Sequence, residues 1–234
     1  MMTQHNMPAH AWFITGTDTE IGKTYATCAL LHVARAQGLT ALGMKPVAAG
    51  TEMVGGERLN EDVAALRAAS SFDPGLALLN PWCLASPIAP HIAAAEEGVR
   101  IAPAPIVDAL GALRQRADVV LVEGVGGFRV PLADDYDSAD LAAELALPVI
   151  LVVGVRLGCI NHAVLSMEAI ERDGLRLAGW VANVVDAQTS RLEENLATLA
   201  ERLAAPCLGR VPRLAQASPA AVAAHLDLDR LVQR

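Results

Sequence analysis

Nine residues near the start of the chain, Gly16-Thr17-Asp18-Thr19-Glu20-Ile21-Gly22-Lys23-Thr24, leave little freedom in what surrounds them. They follow an apolar run, Trp12 to Thr15, and open into a helix-like stretch, Tyr25 to Arg35. Strand, glycine-bounded loop and helix in that order make a phosphate-binding loop. Loop and first-turn N–H groups face an anion, Lys23 adds a mobile positive charge, and the Thr24 hydroxyl can ligate Mg²⁺. The implied ligand is a nucleoside triphosphate. Gly16 and Gly22 stand one residue further apart than in the usual motif, which leaves the loop room to touch more than phosphate. The bland reading of the same letters is a glycine-rich turn before a helix that happens to carry a lysine.

Short apolar runs recur at Ala41 to Val47, Val119 to Val122, Val149 to Val153, Gly179 to Val185 and Pro206 to Val211. Continuous apolar strands of this kind suit a parallel sheet covered on both faces. Between them lie amphipathic stretches, Tyr25 to Gln37, Glu61 to Ala69, Ile106 to Arg116, Ser138 to Leu145, Asn161 to Asp173 and Arg191 to Ala204. The alternation predicts an α/β fold, a doubly wound and mainly parallel sheet in one domain spanning residues 1–234. Gly111 falls inside a helical stretch and weakens that segment. Ser70 to Pro105 holds six prolines and no clear period, yet is too apolar for a linker, and reads as an ordered excursion over the active rim.

In such a sheet, ligands sit beyond the carboxyl ends of the strands. The residues just after each run therefore matter most: the phosphate loop, Lys45, Glu123, the stretch Gly158 to Asn161, and Asn183. Glu123 ends an apolar strand, where an unpaired carboxylate is costly, so either a metal ion or a neighbouring Lys or Arg must meet it. With Thr24 and Asp62 it could supply the oxygen ligands Mg²⁺ prefers; the alternative for Asp62 is a solvent-facing acid at a helix start. Lys45 could neutralise charge on a transferring phosphoryl group or be a solvated edge lysine. Gly124, Gly126 and Gly127 form a second tight turn that lets backbone approach a ligand. Free N–H groups at Gly158 to Asn161 could hold a carboxylate, although Asn161 as a plain N-cap explains the same letters. His91 and His162 lack a Ser or Cys elbow and read as structural.

The net charge of −8 repels polyanions, and no basic patch offsets it, so a nucleic-acid partner is not expected. Cys28, Cys83, Cys159 and Cys207 show no metal spacing and read as reduced thiols of a cytoplasmic protein. The first twelve residues lack a basic region followed by a long apolar run, and no stretch is long enough to span a membrane.

GTDTEIGKT, KPVAAG, VEGVGG, LPVILVVGVRLGCINHA and GWVAN stand in the order and spacing of the dethiobiotin synthetases, and the resemblance runs from about Trp12 to Pro212. It implies an ATP- and Mg²⁺-dependent ligase of biotin synthesis. Such an enzyme closes a ureido ring from 7,8-diaminononanoate and CO₂ through a carbamate and its mixed anhydride with phosphate. Residue by residue, the resemblance places Lys23, Lys45, Thr19 and Glu20 at the chemistry, the last two facing the diamine. Glu20, Ile21, Gly22, Lys23, Thr24, Tyr25, Glu123, Gly124, Val125 and Gly126 would meet the nucleotide phosphates, and Asn183, Pro212, Arg213 and Leu214 the adenine. Lys45, Ala49, Gly126, Leu157, Gly158, Cys159 and Asn161 would meet the substrate. Thr24, Asp62 and Glu123 would hold Mg²⁺. A homodimer is implied, with the helix start at Gly158 holding the substrate carboxylate of the neighbouring subunit. Ala49 and Ala89 stand where the family commonly has serine, and Arg213 where it has an apolar or aromatic residue. The competing reading is a partition-type regulatory ATPase of related fold. Those carry an extra lysine early in the loop, and here Thr17 to Glu20 contain none.

Overall fold

Six parallel strands build the centre: β1 (His10–Gly16), β2 (Ala41–Met44), β3 (Val119–Glu123), β4 (Val149–Val155), β5 (Leu177–Val184) and β6 (Cys207–Val211). The computed structural model describes residues 9–54, 56–214 and 218–232. The chain start, Met1 to Pro8, read above for a leader, lies outside the described residues. The strand order is β6-β5-β4-β1-β3-β2. β1 therefore sits in the interior, paired to β3 on one side (Ile14 opposite Glu123) and to β4 on the other (Gly16 opposite Val152). From β1 the chain crosses outward to β2 and returns through β3, then builds β4 to β6 on the opposite side. The carboxyl end of β1 is thus the switch point at which a crevice opens.

Side chains on β1 alternate between two cores. Ala11 and Phe13 pack into one cluster with Val120, Val122, Leu151, Val153 and Trp180; Trp12 and Ile14 pack into the other with Leu121, Ile150, Val152 and Val181. Helices cover both, which is why these strands read as unbroken apolar runs. On the Phe13 side lie α3 (Ala104–Arg114), α4 (Ser138–Leu145) and α5 (Cys159–Arg172), with Leu199 of α6 (Leu192–Arg202). On the Trp12 side lie α1 (Lys23–Ala36) and Leu66 of α2 (Glu61–Ala69). α4 starts on a reciprocal capping box between Asp137 and Asp140, the local signal that sets its first residue. Gly111 lies within α3 without breaking it, because Ile106, Leu110 and Leu113 anchor the buried face around it.

Two expectations need correction. The second strand does not run to Val47. It stops at Met44, and Pro46 deprives the backbone of an N–H, so Val47–Ala49 leaves the main sheet and pairs in parallel with Trp82–Leu84 instead. The side-chain amide of Asn80 donates to the Lys45 carbonyl at 2.6 Å, and the Lys45 N–H donates to the Leu79 carbonyl at 2.7 Å, which holds that break open. Asn161 is not the cap of its helix: Gly158 is, in a left-handed conformation, and Asn161 lies in the first turn. The excursion from Ser70 to Pro105 is ordered, with helices at Leu76–Leu79 and Pro90–Glu96 around the Trp82–Leu84 strand. A hairpin of Glu52–Val54 with Glu57–Leu59 was not foreseen.

Candidate functional site

At the carboxyl end of β1 the loop Thr17 to Gly22 wraps over the sheet and delivers α1. Ile21 is buried against Gly154 of β4, where a Cβ would lie 2.5 Å from Ile21 Cγ2, so the strand yields room for the loop. Glu20 adopts a left-handed backbone (φ 57°), a conformation that costs a non-glycine residue energy and that no local letter signals. Lys23 is buried, and its ammonium donates to the Asp18 carbonyl at 2.8 Å. Burial, followed by the nearby positive charge of Lys45, lowers its pKa from 10.5 to about 8. Asp18 is in turn paired with Arg156, just beyond β4, and accepts the Thr19 N–H at 2.8 Å. The second glycine turn abuts this loop. A Cβ on Gly126 would lie 3.5 Å from Thr19 Oγ1, and one on Gly127 3.6 Å from the Gly16 carbonyl oxygen.

Beneath the loop four polar side chains converge, three from α1, α2 and β3 and one from the residue just after β2. Thr24 Oγ1, on the first turn of α1, lies 2.7 Å from Asp62 Oδ1 on α2 and 2.9 Å from Glu123 Oε1 at the end of β3. Lys45 Nζ lies 2.9 Å from Asp62 Oδ2 and 2.7 Å from Glu123 Oε1. Lys45 is 3% exposed, so it is no solvated edge lysine. Burial opposes its charge, but the Glu123 and Asp62 carboxylates outweigh that and hold its pKa above the ordinary lysine value. Burial likewise pushes against ionised Asp62, and the Lys45 charge and the Thr24 and Lys45 hydrogen bonds reverse it, leaving its pKa lowered. Glu123 thus has the lysine partner that was the alternative to a metal. One oxygen remains unanswered: Glu123 Oε2 is buried with no hydrogen-bond partner. A hydroxyl that has one proton for two carboxylates, together with that orphaned oxygen, is a donor set suited to a hard divalent cation.

Beside α1 a cavity of about 220 Å³ is lined by Gly22, Tyr25, Ala26, Asn183, Val184, Val211, Pro212, Arg213, Leu214 and Val222. The ends of β5 and β6 bring Asn183 and the 212–214 segment to the same opening, since Asn183 pairs with Val211. The Asn183 amide donates to the Ile21 carbonyl at 2.6 Å, and Arg213 Nη1 donates to the Val185 carbonyl at 2.6 Å. The apolar walls with one amide fit a planar heterocycle.

The remaining sequence-predicted residues fall in two places. Ala49 is half-buried, and Thr19 and Glu20 are exposed on the loop. Leu157, Gly158, Cys159 and Asn161 open α5 one strand away; Leu157 is 96% exposed, and no side chain caps the helix. Among the described residues no hydrogen bond joins residues 157–161 to Lys45 or Ala49. His162 is exposed and His91 half-buried, and among the described residues neither imidazole bonds a Ser or Cys. Sequence reading missed Asp18 with Arg156, and Asn60. The latter had a signal in the order Asn-Glu-Asp at a helix start.

A family model described as an AAA domain matches residues 10–221. Three relatives named ATP-dependent dethiobiotin synthetase BioD align over nearly their whole length. The one from Aromatoleum aromaticum is 67% identical over 218 residues, 93% of this chain and 97% of its own. The Pseudomonas aeruginosa protein is 60% identical, with 93% and 96% covered, and that of Ralstonia nicotianae 54%, with 95% and 97% covered. Among solved structures the chain resembles the septum site-determining protein MinD with Mg-ADP from Pyrococcus horikoshii (TM-score 0.55, 13% identity, 97% of this chain and 90% of that one). It also resembles a ParA family ATPase from Chlorobium tepidum (TM-score 0.54, 12% identity, 88% and 85%). At such identities these two speak to the fold alone.

Proposed function

The chain belongs to the dethiobiotin synthetase family, and from that membership we propose how its residues divide the work of an ATP-dependent ligase that closes the ureido ring of dethiobiotin. The observation that carries the assignment of roles is the convergence of Lys23, Thr24, Lys45, Asp62 and Glu123 under one loop, beside an apolar cavity large enough for a nucleobase.

In this reading the adenine lies in the cavity against Pro212, Arg213 and Leu214, with Asn183 reading its edge. The triphosphate then runs along the loop from Gly22 toward Gly126, within reach of the backbone of Glu20 to Tyr25 and of Gly124 and Val125. Thr24, Asp62 and Glu123 would hold Mg²⁺, whose chemistry is to neutralise phosphate oxygens. Lys23 leaves the Asp18 carbonyl for the phosphates, and Lys45 offsets the charge shared between a carbamate and the γ-phosphate. The diamine lies over Ala49 and Gly126, its amines facing Thr19 and Glu20. A carbamate oxygen attacks the γ-phosphorus, ADP leaves, and the second amine displaces phosphate to close the ring. The loops hold these partners in contact, which supplies much of the acceleration.

We assign the substrate carboxylate to the uncapped start of α5 in a second subunit. Leu157, 96% exposed, and Leu165, 56% exposed one turn beyond Asn161, are apolar groups that a partner would cover. One domain carries all of this. Among the described residues no helix is long and apolar enough to cross a membrane, and the free cysteines support a cytoplasmic setting.

The test is ADP release by the purified protein with ATP, Mg²⁺, 7,8-diaminononanoate and bicarbonate, each omitted in turn. Turnover is expected only when all four are present. Rapid hydrolysis indifferent to the diamine would favour the regulatory-ATPase reading.

A further inference from the structure

Asn60 precedes α2, is 8% exposed, and uses its whole side-chain amide. Its oxygen accepts the N–H groups of Asp62 at 2.9 Å and Val63 at 3.4 Å. Its nitrogen donates to the carbonyls of Gly50 at 2.7 Å and Ala49 at 3.3 Å. The first pair is an ordinary helix cap. The second pair reaches across to the stretch that leaves the Val47–Ala49 strand, and that stretch is itself fixed: Gly50 has φ +83°, and a Cβ there would lie 2.8 Å from Pro87 Cβ. Ser, Thr or Asp would cap the helix as well. Only an amide of this length offers acceptors to the helix and donors to the two carbonyls at once.

Two residues after Asn60 comes Asp62, whose oxygens meet Thr24 and Lys45. We infer that Asn60 is a positioning residue. It anchors the start of α2 to the Ala49–Gly50 backbone and so fixes where the Asp62 carboxylate stands, relative both to the cation site and to the diamine floor. The inference rests on the reading of Asp62 as a metal ligand. Groups that orient a ligand in this way typically matter about 10- to 100-fold in metal affinity. Asn60 touches neither substrate nor metal in this scheme and acts only through its neighbours.

The experiment compares Asn60→Ser, Asn60→Asp and Asp62→Asn with the unaltered protein, with Mn²⁺ as the probe, its binding followed by electron paramagnetic resonance in the presence of ADP. Asn60→Ser keeps a cap and loses the donors; Asn60→Asp keeps a cap and opposes the carbonyls with negative charge. Both are expected to bind Mn²⁺ about 10- to 100-fold more weakly while retaining cooperative thermal unfolding, with the diamine KM raised alongside. If either folded variant binds Mn²⁺ as tightly as the unaltered protein while Asp62→Asn does not, Asn60 merely caps a helix and the inference is overturned. If Asp62→Asn itself binds Mn²⁺ normally, the fault lies in the metal reading of Asp62. Should one Asn60 variant fail to fold, the other decides.

Discussion

Lys45 Nζ lies 2.7 Å from Glu123 Oε1, and neither side chain is more than 3% exposed. All three ammonium N–H groups are engaged, with Glu123, with Asp62 and, at 3.2 Å, with the Gly124 carbonyl. Two charges can be buried this way because each answers the other; removing one strands its partner.

Lys45→Met is therefore expected to lower unfolding free energy by about 3–5 kcal/mol in metal-free buffer, besides abolishing turnover. Combining it with Glu123→Leu should recover part of that loss, since the Glu123 carboxylate that Lys45→Met strands is then gone. Urea denaturation of the four proteins closes the cycle. A loss under about 1 kcal/mol for Lys45→Met would mean that water reaches Glu123 and that the pair is not buried in solution.

Lys23 makes a pH-dependent prediction. Burial first, then Lys45, brings its folded pKa down from 10.5 to about 8. Between those values the unfolded chain holds the proton and the folded protein does not, so stability from this group rises with pH across that window and is lowest below it. A bound triphosphate restores the charge. ATP binding without Mg²⁺ at about pH 9 should take up close to one proton, read by calorimetry in buffers of different ionisation enthalpy. Uptake that persists in Lys23→Gln would assign the proton elsewhere.

Gly22 lies at φ +82°, and an added Cβ would come within 2.4 Å of Asn183 Nδ2. Gly22→Ala should weaken a fluorescent ATP analogue by more than ~10-fold, because it both strains the turn by about 1–2 kcal/mol and displaces the amide that lines the cavity. Arg213→Leu removes the bond to the Val185 carbonyl, worth about 0.5–1.5 kcal/mol, but leaves an apolar side chain on the cavity wall, and should weaken it only a few-fold. The reverse ranking would make Arg213, not Asn183 and the Gly22 turn, the group that holds the nucleobase.

The strands and the loop were legible because their signals are local: apolar runs, glycine spacing, a lysine followed by threonine. Glu123 and Lys45 could be nominated for the same reason, each standing at a strand end. That they pair with one another was not readable, because the contact spans 78 residues and depends on β3 lying between β1 and β2. The apolar run to Val47 overshoots the strand, which ends at Met44, because Asn80, far along the chain, binds the Lys45 carbonyl and holds that segment away from the sheet. The Asp18–Arg156 pair was hidden likewise; it exists only because β4 lies beside β1. Asn60 was the local signal left unused.

The shared-site arrangement gives the most demanding prediction. The helix start at Gly158 has no side-chain cap; its Cys159 N–H is held by the Arg156 carbonyl at 3.0 Å, and the next N–H groups, at Ile160 and the exposed Asn161, are the ones to meet a carboxylate. If that carboxylate belongs to substrate held by the other subunit's loop, Asn161→Trp should raise the diamine KM and leave ATP binding unchanged. Lys23→Gln should do the opposite, abolishing turnover with the helix start intact. A heterodimer of the two then carries one site made from an intact loop and an intact helix start, and one site with neither. Mixing the variants under conditions shown to exchange subunits should recover up to about half of normal turnover per mixed dimer, as one competent site in two requires. Activity that stays at the level of the separate variants after verified exchange would place loop and carboxylate site within one chain, and the dimer would no longer be needed for the chemistry.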